Sequence, residues 1–331
     1  MSNGKDFVVI TSINAPTRQV RRWAKLWPGR TMVVGDAKTP TGWECEGVHF
    51  VTPLNGLQGS LTQLIGPNKY QRKMLGYAAA ISHGAEVIID SDDDNEPLEM
   101  YILPEFTPGK RGPGLVCSTP GWVNVYRMFG EYSAWPRGLP LLSKSKHGER
   151  HKELKGDPIG VWQGLAQVDP DVDAIYRLTS GTIVNFDEYR MCVALSPGTL
   201  SPFNSQATMF RRECFPLLYL PCTVSMRVCD ILRSYVAQPI MWAAGYRLGF
   251  GGPIVRQERN QHDLMDDFAQ ELPLYMGMGE SVVSAVQAVV SPTESMEDNL
   301  RVAYRSIIGI HGIGDESAAL EEWLSSISVK P

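Results

Sequence analysis

The stretch Val87 to Pro97, VIIDSDDDNEP, places three apolar residues directly before Asp90, Asp92, Asp93 and Asp94. An apolar run that ends abruptly in carboxylates is the pattern of a buried parallel strand whose carboxyl end reaches a crevice, where open α/β sheets bind ligands. Four like charges within five residues repel one another, and a hard divalent cation lets a folded chain keep them together. The spacing therefore predicts a site for Mg2+ or Mn2+ carrying a diphosphate. An acidic turn that caps a following helix through Asp94 or Asn95 is the alternative that these residues leave open.

The surrounding pattern supplies the sheet that such a strand needs. Phe7 to Thr11 reads as a first strand, with Asn14, Pro16 and Thr17 at a turn and a helix over Arg18 to Leu26 that sets Trp23 and Leu26 on one side. Thr31 to Val34 reads as a second strand ending at Gly35-Asp36, and Val48 to Val51 as a third. A helix over Lys69 to Ser82 then delivers the chain to the acidic strand. Strands alternating with helices predict an α/β fold with a mostly parallel sheet flanked by helices. From about residue 104 the chain turns rich in Pro and Gly, with Lys144, Lys146, Arg150 and Lys152 making one segment basic; such loops could close over a ligand. A long helix is expected over Ser225 to Gly245, and residues 280 to 330 read as amphipathic helices broken at Ser291-Pro292 and at Gly309 to Gly314. The simplest division is an α/β domain over 1–265 and a helical C-terminal extension over 266–331.

Composition narrows the class of function. With 43% hydrophobic and 20% charged residues, the chain has the makings of a substantial core. A net charge of −5 provides no broad basic surface, which counts against a protein that grips a nucleic-acid backbone. The six cysteines have no spacing suited to a zinc site or redox motif and read as reduced thiols. MSNGKDF passes into the first strand without a signal-peptide pattern, and no apolar stretch approaches the roughly 20 residues of a membrane span. These features predict a cytoplasmic protein without a transmembrane segment; a homo-oligomer is left open.

Several polar groups fall where strand ends should converge. Thr11, Ser12 and Asn14 follow the first strand, and Asp36 follows the second, where it could accept a hydrogen bond from a base or ribose. Arg72 and Lys73, early in the helix before the acidic strand, could meet phosphate oxygens or form a solvated face. Both a glycine-rich dinucleotide fingerprint and a phosphate-loop motif are missing. Asp230 lies between Arg227 and Arg233, which at i−3 and i+3 could pair with it; facing a crevice, it could instead serve as a general base. His262 in NQHDLMDDF could supply a late metal or phosphate contact. The remaining histidines have no supporting partners in the sequence.

These residues carry a family resemblance. The acidic strand end resembles the DxD region of glycosyltransferases with the GT-A fold. The chain is more closely similar to the STELLO-type proteins through GYAAAISHGAEVIIDSDDD (Gly76 to Asp94), SAWPRGLPL (Ser133 to Leu141) and QGLAQVDPDVDAIYRLT (Gln163 to Thr179). SPFNSQAT (Ser201 to Thr208) and VSMRVCDILRSYVAQPIMW (Val224 to Trp242) continue it, so that the likeness runs in order over roughly residues 7 to 265. A more distant similarity, through the DDD turn, an Arg-containing loop and a PDxD segment, reaches the reversibly glycosylated polypeptides, which are UDP-arabinopyranose mutases.

The resemblance implies a GT-A-like nucleotide-sugar transferase that uses Mn2+ or Mg2+, with a UDP-sugar as expected donor and an unassigned acceptor hydroxyl. Carried over, it gives Asp90 to the ribose or metal, Asp92 and Asp93 to the metal, Arg137 to the sugar site, and Asp171 and Asp173 to sugar hydroxyls. Asp94 is an extra carboxylate relative to the STELLO pattern. Arg137 could alternatively be a structural residue stacked on Trp135, and the PDVD acids an ordinary turn. The other functional readings are a nucleotide-sugar mutase, a binding or scaffold protein on a transferase fold, and a glycosyltransferase acting on modified DNA bases.

Overall fold

A computed structural model describes residues 5–52, 60–98, 115–142, 151–153, 158–181, 183–187, 192–259 and 263–328. The short apolar runs of the first hundred residues are strands β1 (Asp6–Thr11), β2 (Thr31–Val34), β3 (Val48–Val51) and β4 (Val87–Asp92). Between them lie α1 (Arg18–Leu26), α2 (Ser60–Ile65) and α3 (Lys73–Ser82), the last preceded by a short 3-10 turn over Tyr70–Arg72. β3, β2, β1 and β4 are hydrogen-bonded in that order and all parallel, so each connection crosses back over the sheet. Register sets Thr11 opposite Val34 on one side and Asp92 on the other, which brings the loops after β1, β2 and β4 to one edge.

Beyond β4 the sheet becomes mixed. The remaining strands are β5 (Asn95–Pro97), β6 (Leu115–Cys117), β7 (Gly121–Trp122), β8 (His151–Glu153), β9 (Ile159–Gln167), β10 (Val193–Leu195), β11 (Thr199–Leu200), β12 (Ala207–Arg211) and β13 (Arg247–Gln257). The main sheet continues from β4 through β12, β9, β13, β10 and β6 to β8, with β5 added to β13. β12 runs antiparallel to both β4 and β9, so the parallel character predicted from the sequence is strongest in the first half. No helix follows the acidic turn. β5 follows it instead, which sets aside the alternative in which Asp94 or Asn95 caps a helix.

Two local features fix the acidic edge. Thr17 caps α1 by accepting from the Val20 amide at 3.1 Å, while its own hydroxyl donates to the Asp93 carbonyl at 2.7 Å. The buried Trp23 indole donates to the Asn95 carbonyl at 2.9 Å, whereas Leu26, expected on the same face, is 42% exposed. On the other face α3 lies very close to the sheet: a Cβ on Gly76 would come within 2.5 Å of Val34 Cγ2 and 2.6 Å of Val9 Cγ1. Only glycine permits that approach.

The later helices are α4 (Ala174–Thr179), α5 (Met226–Ala243), α6 (Leu264–Tyr275), α7 (Met278–Gln287), α8 (Met296–Ser306) and α9 (Ser317–Ile327). α5 is buried over nearly its whole length and accommodates Pro239. One hydrophobic cluster runs from Phe7 and Val9 of β1 through Tyr77 of α3 and Leu232 of α5 to Trp323 of α9, so the C-terminal helices share the core of the α/β part. Buried Glu316 reinforces that union by accepting from the Cys222 and Thr223 amides at 2.9 and 2.8 Å and from the Tyr219 hydroxyl at 2.5 Å. The six cysteines are free thiols, with Cys117, Cys214 and Cys229 buried. No helix among the described residues is long and apolar enough to cross a membrane.

Candidate active site

The loops after β1 and β4, the N-terminus of α5 and the end of β13 enclose a cleft of about 600 Å³. Of the residues singled out in the sequence, Thr11, Ser12, Asn14, Arg72, Asp92, Asp93, Arg137, Asp171 and Asp230 line it. Asp36, Lys73, Asp90 and Asp173 do not, and His262, Lys144, Lys146 and Arg150 fall outside the described residues. The basic stretch as a ligand-closing loop is therefore not described.

The four carboxylates of the acidic strand part company, because β-strand alternation turns Asp90 inward. Asp90 is fully buried, paired with Lys73 Nζ at 2.7 Å and with Arg233 Nη2 at 3.0 Å. Its expected contact with ribose or metal is thus corrected: both oxygens serve the interior. Lys73 is likewise no phosphate ligand. It is fully buried and bridges Asp90 to Asp92 Oδ1, 2.8 Å away. Burial works against its charge, but the two aspartates outweigh it and hold its pKa above the ordinary value.

Asp92, Asp93 and Asp94 face the cleft. Asp92 Oδ1 accepts from Lys73 and from the Tyr70 hydroxyl, both at 2.8 Å, while its Oδ2 has no partner among the described residues. Asp93 Oδ2 accepts from Ser12 Oγ at 2.5 Å and Asn14 Nδ2 at 3.0 Å, leaving Oδ1 open. Asp94 accepts from Gln257 Nε2 at 3.0 Å; burial, then the neighbouring Asp92 charge, pushes its pKa up to about 6. Negative charge is therefore left uncompensated at this wall. Among the described residues no three His, Cys, Asp or Glu side chains form a closed metal cage. The fit is to a cation such as Mg2+ or Mn2+ that takes one or two carboxylates and completes its shell with substrate oxygens and water.

The opposite wall is built on Arg137. Its Nε donates to Asp171 Oδ1 at 2.8 Å, Nη2 to Asp171 Oδ2 at 2.6 Å, and Nη1 and Nη2 to the two oxygens of Asp230 at 2.9 Å each; Nη1 also donates to the Arg227 carbonyl. All five N–H groups are consumed, so Arg137 is a buried clamp on two carboxylates, neither free to bind a sugar nor simply stacked on Trp135. Burial would raise the Asp171 carboxyl, but the Arg137 guanidinium overcomes it and holds the pKa well below the usual range. Asp230 accepts additionally from the Ile231 and Ser205 amides at 3.0 and 3.2 Å, which fills its lone pairs. With both oxygens engaged by these donors, Asp230 has no lone pair directed at an acceptor hydroxyl, the geometry that a general base needs. Its helical neighbours pair elsewhere, Arg227 with Glu271 and Arg233 with Asp90.

Two further expectations resolve structurally. Asp36 accepts from the Ala37 and Asn68 amides at 2.6 and 2.9 Å and lies 3.2 Å from Arg72 Nη1, so it shapes the rim behind the cleft rather than facing a base. Asp173 caps α4 by accepting from the Tyr176 amide at 2.6 Å, the ordinary turn role. Burial raises its pKa to about 7.

Comparison with known proteins gives two curated relatives from Arabidopsis thaliana. The probable glycosyltransferase STELLO2 is 29% identical over 297 residues, which cover 83% of this chain and 38% of that protein. The probable glycosyltransferase STELLO1 is 31% identical over 258 residues, 72% of this chain and 34% of that protein. The chain belongs to the STELLO type. It spans little more than a third of the length of those relatives. No family model matches it. Alignment of the STELLO-type chain with solved structures returns GalNAc-T7 with UDP, GalNAc and Mn2+ at a TM-score of 0.39 and 10% identity, covering 98% of this chain and 57% of that one. A mycobacterial protein aligns at a TM-score of 0.32 and 12% identity, covering 85% and 73%. The α/β class, with its flanked central sheet and helical C-terminal part, is that expected of a GT-A-like STELLO-type chain and rests here on the strand order.

Tyr70, Asn204, Gln206, Gln257 and Arg259 also line the STELLO-type cleft and were not anticipated. Tyr70 has a partial signal, a phenol three residues before Lys73 at the start of α3. Arg259 and the glutamines have none, because strand pairing and not local spacing brings them to the cleft.

Proposed function

We propose that this chain binds a nucleotide-diphosphate sugar, a UDP-sugar being the expected donor, and transfers the sugar to an acceptor hydroxyl. The observation that carries the reading is the wall of Asp92, Asp93 and Asp94, with one open oxygen each on Asp92 and Asp93, at the end of a parallel strand in a cleft of about 600 Å³. Asp92 and Asp93 would hold a divalent cation. Bound there, the cation supplies Lewis-acid stabilisation of the charge that develops on a diphosphate leaving group.

The chain's own residues prepare that event. Lys73 and Tyr70 fix one oxygen of Asp92 and direct the other outward. Ser12 and Asn14 orient Asp93 in the same way and stand beside the expected nucleotide. The Arg137 clamp holds Asp171 at the far wall, where its remaining lone pair suits a sugar hydroxyl, and the Asn204 side-chain amide beside it offers donors. With Asp230 saturated, the deprotonation of the acceptor is left to another group or to solvent.

The mutase reading draws no support from Arg137, whose donors are all occupied. A thermal-shift panel of UDP-, GDP-, ADP- and dTDP-sugars, with and without Mn2+, tests the proposal on the wild type and on Asp92→Asn. Ligand at about 100 times its dissociation constant stabilises a fold by about 2.7 kcal/mol. The proposal expects a shift with one nucleotide class that needs both Mn2+ and Asp92. Its lack with every nucleotide would favour a binding or scaffold protein.

A further inference from the structure

Along the cleft from the acidic turn lies a group of arginines that the proposed reaction leaves partly unused. Arg227 gives Nε to Glu271 Oε1 at 2.8 Å and Nη2 to the same oxygen, its Nε lies 3.6 Å from Asp267 Oδ1, and its Nη1 has no partner among the described residues. Arg177 of α4 is held by Asp169 and by the Pro170 carbonyl at 2.8 Å. Arg259, just beyond β13, makes no hydrogen bond among the described residues. Its ion-pair partner, Asp267 Oδ2, is 4.0 Å away, its side chain is only 12% exposed, and its Nε is buried without a partner.

A nearly buried guanidinium with open donors is costly to desolvate unless an anion completes it. Burial, then the charges of Arg177 and Arg227, outweighs the opposing effect of Asp171 and Asp169 and lowers the Arg259 pKa to about 10, so it remains a cation at neutral pH. Amide side chains separate this group from the acidic turn. Gln257 Nε2 donates to Asp94 Oδ2 at 3.0 Å, and Gln206 Nε2 donates to Gln257 Oε1 and, at 3.4 Å, to the carbonyl of Asp169, whose carboxylate holds Arg177. Gln257 and Gln206 thus link the acidic turn to the arginines, which keep carboxylates of their own: Asp267 beside Arg227 and Arg259, and Asp169 on Arg177.

We propose that Arg259, with the open Nη1 of Arg227, forms an oxyanion subsite for a carboxylate or phosphate borne by the transferred sugar or by the acceptor, distinct from the donor's diphosphate. The subsite stands on its own geometry, while its assignment to a transferase substrate rests on the proposed function. Both guanidiniums can present paired N–H groups to a planar or tetrahedral oxyanion.

The test titrates inorganic phosphate into the full chain by calorimetry, alone and with saturating UDP and Mg2+. Phosphate should bind in both conditions, at least about tenfold more weakly to Arg259→Gln, with partial recovery in Arg259→Lys, which restores the charge and separates loss of the anion from misfolding. No phosphate binding, its displacement by UDP, or equal binding by Arg259→Gln would overturn the subsite. UDP-glucuronate binding more tightly than UDP-glucose, with the preference reduced in Arg259→Gln, assigns the anion to the sugar. Arg259-dependent phosphate binding without that preference assigns it to the acceptor. Should UDP and Mg2+ fail to bind while Arg259-dependent phosphate binding persists, the proposed function falls and the subsite remains.

Discussion

Replacing Arg137 with Met keeps much of its bulk and removes the guanidinium that pairs Asp171 and Asp230. Those residues are 7% and 4% exposed, so each carboxylate is left with little hydration when its partner is lost. Breaking a buried pair by removing one member costs about 3–5 kcal/mol, and two acids are orphaned here, so a loss of at least about 4 kcal/mol is expected at about pH 7.5. The pH dependence has a definite sign. In the native chain Arg137 outweighs burial and holds the Asp171 pKa low, which contributes stability above the unfolded value near 3.9 that disappears as pH falls through the lower folded value. In the variant, burial is opposed only by the smaller effects of Arg227 and Arg259 and raises the Asp171 carboxyl, so that stability is lost as pH rises. The gap between the two proteins is therefore widest near neutrality and narrows toward about pH 5 as the variant's Asp171 carboxyl takes up a proton. Urea denaturation at about pH 7.5 and about pH 5, with Arg137→Lys as a partial replacement, measures this gap. A cost below about 1 kcal/mol at neutral pH, or a gap that does not shrink on acidification, would refute the clamp as the reason for these residues.

Asp94 and Gly76 support further predictions. Because burial and Asp92 raise the Asp94 carboxyl to about 6, its native-state proton stabilises the metal-free fold at low pH, and this contribution is lost as pH rises through about 6. Mn2+ should accordingly raise the melting temperature more at about pH 8 than at about pH 5, and Asp94→Asn should flatten the pH dependence of the metal-free protein; melts across that range check both. Gly76→Ala forces a methyl against Val9 and Val34 and should cost about 1–3 kcal/mol by denaturant unfolding, without altering the cleft.

Much of the fold was legible because its signals are local. The periods of β1 to β4 and of α1, and the glycine and proline breaks after α5, are written in consecutive residues, and so is the acidic end of β4. The division of labour among the four acids was less legible. Strand alternation turns Asp90 inward, but its buried partners, Lys73 and Arg233, come from two helices far apart in the chain. Asp230 shows the limit most clearly. Spacing along α5 offers Arg227 and Arg233 as partners, yet Arg137, 93 residues away, takes both of its oxygens. The PDVD segment divides in the same way: Asp171 meets the clamp, while Asp173 performs the helix-capping role that its position before α4 suggests.

The brace between Glu271 and Arg227 has an implication for how variation in this chain would be read. Glu271 belongs to α6, beyond the α/β strands, yet one of its oxygens orients a cleft arginine and the other receives the Ala174 amide at the start of α4 and the Tyr275 hydroxyl. The cleft's cationic end is thus set from behind by a helix that contributes no backbone to the sheet. A substitution scan scored on ligand binding would find sensitive positions along the hidden face of α6 as well as at the acidic turn. Trimming the chain at residue 265 would remove this brace along with the helices that share the core, disturbing a site whose lining residues would all still be present in the sequence.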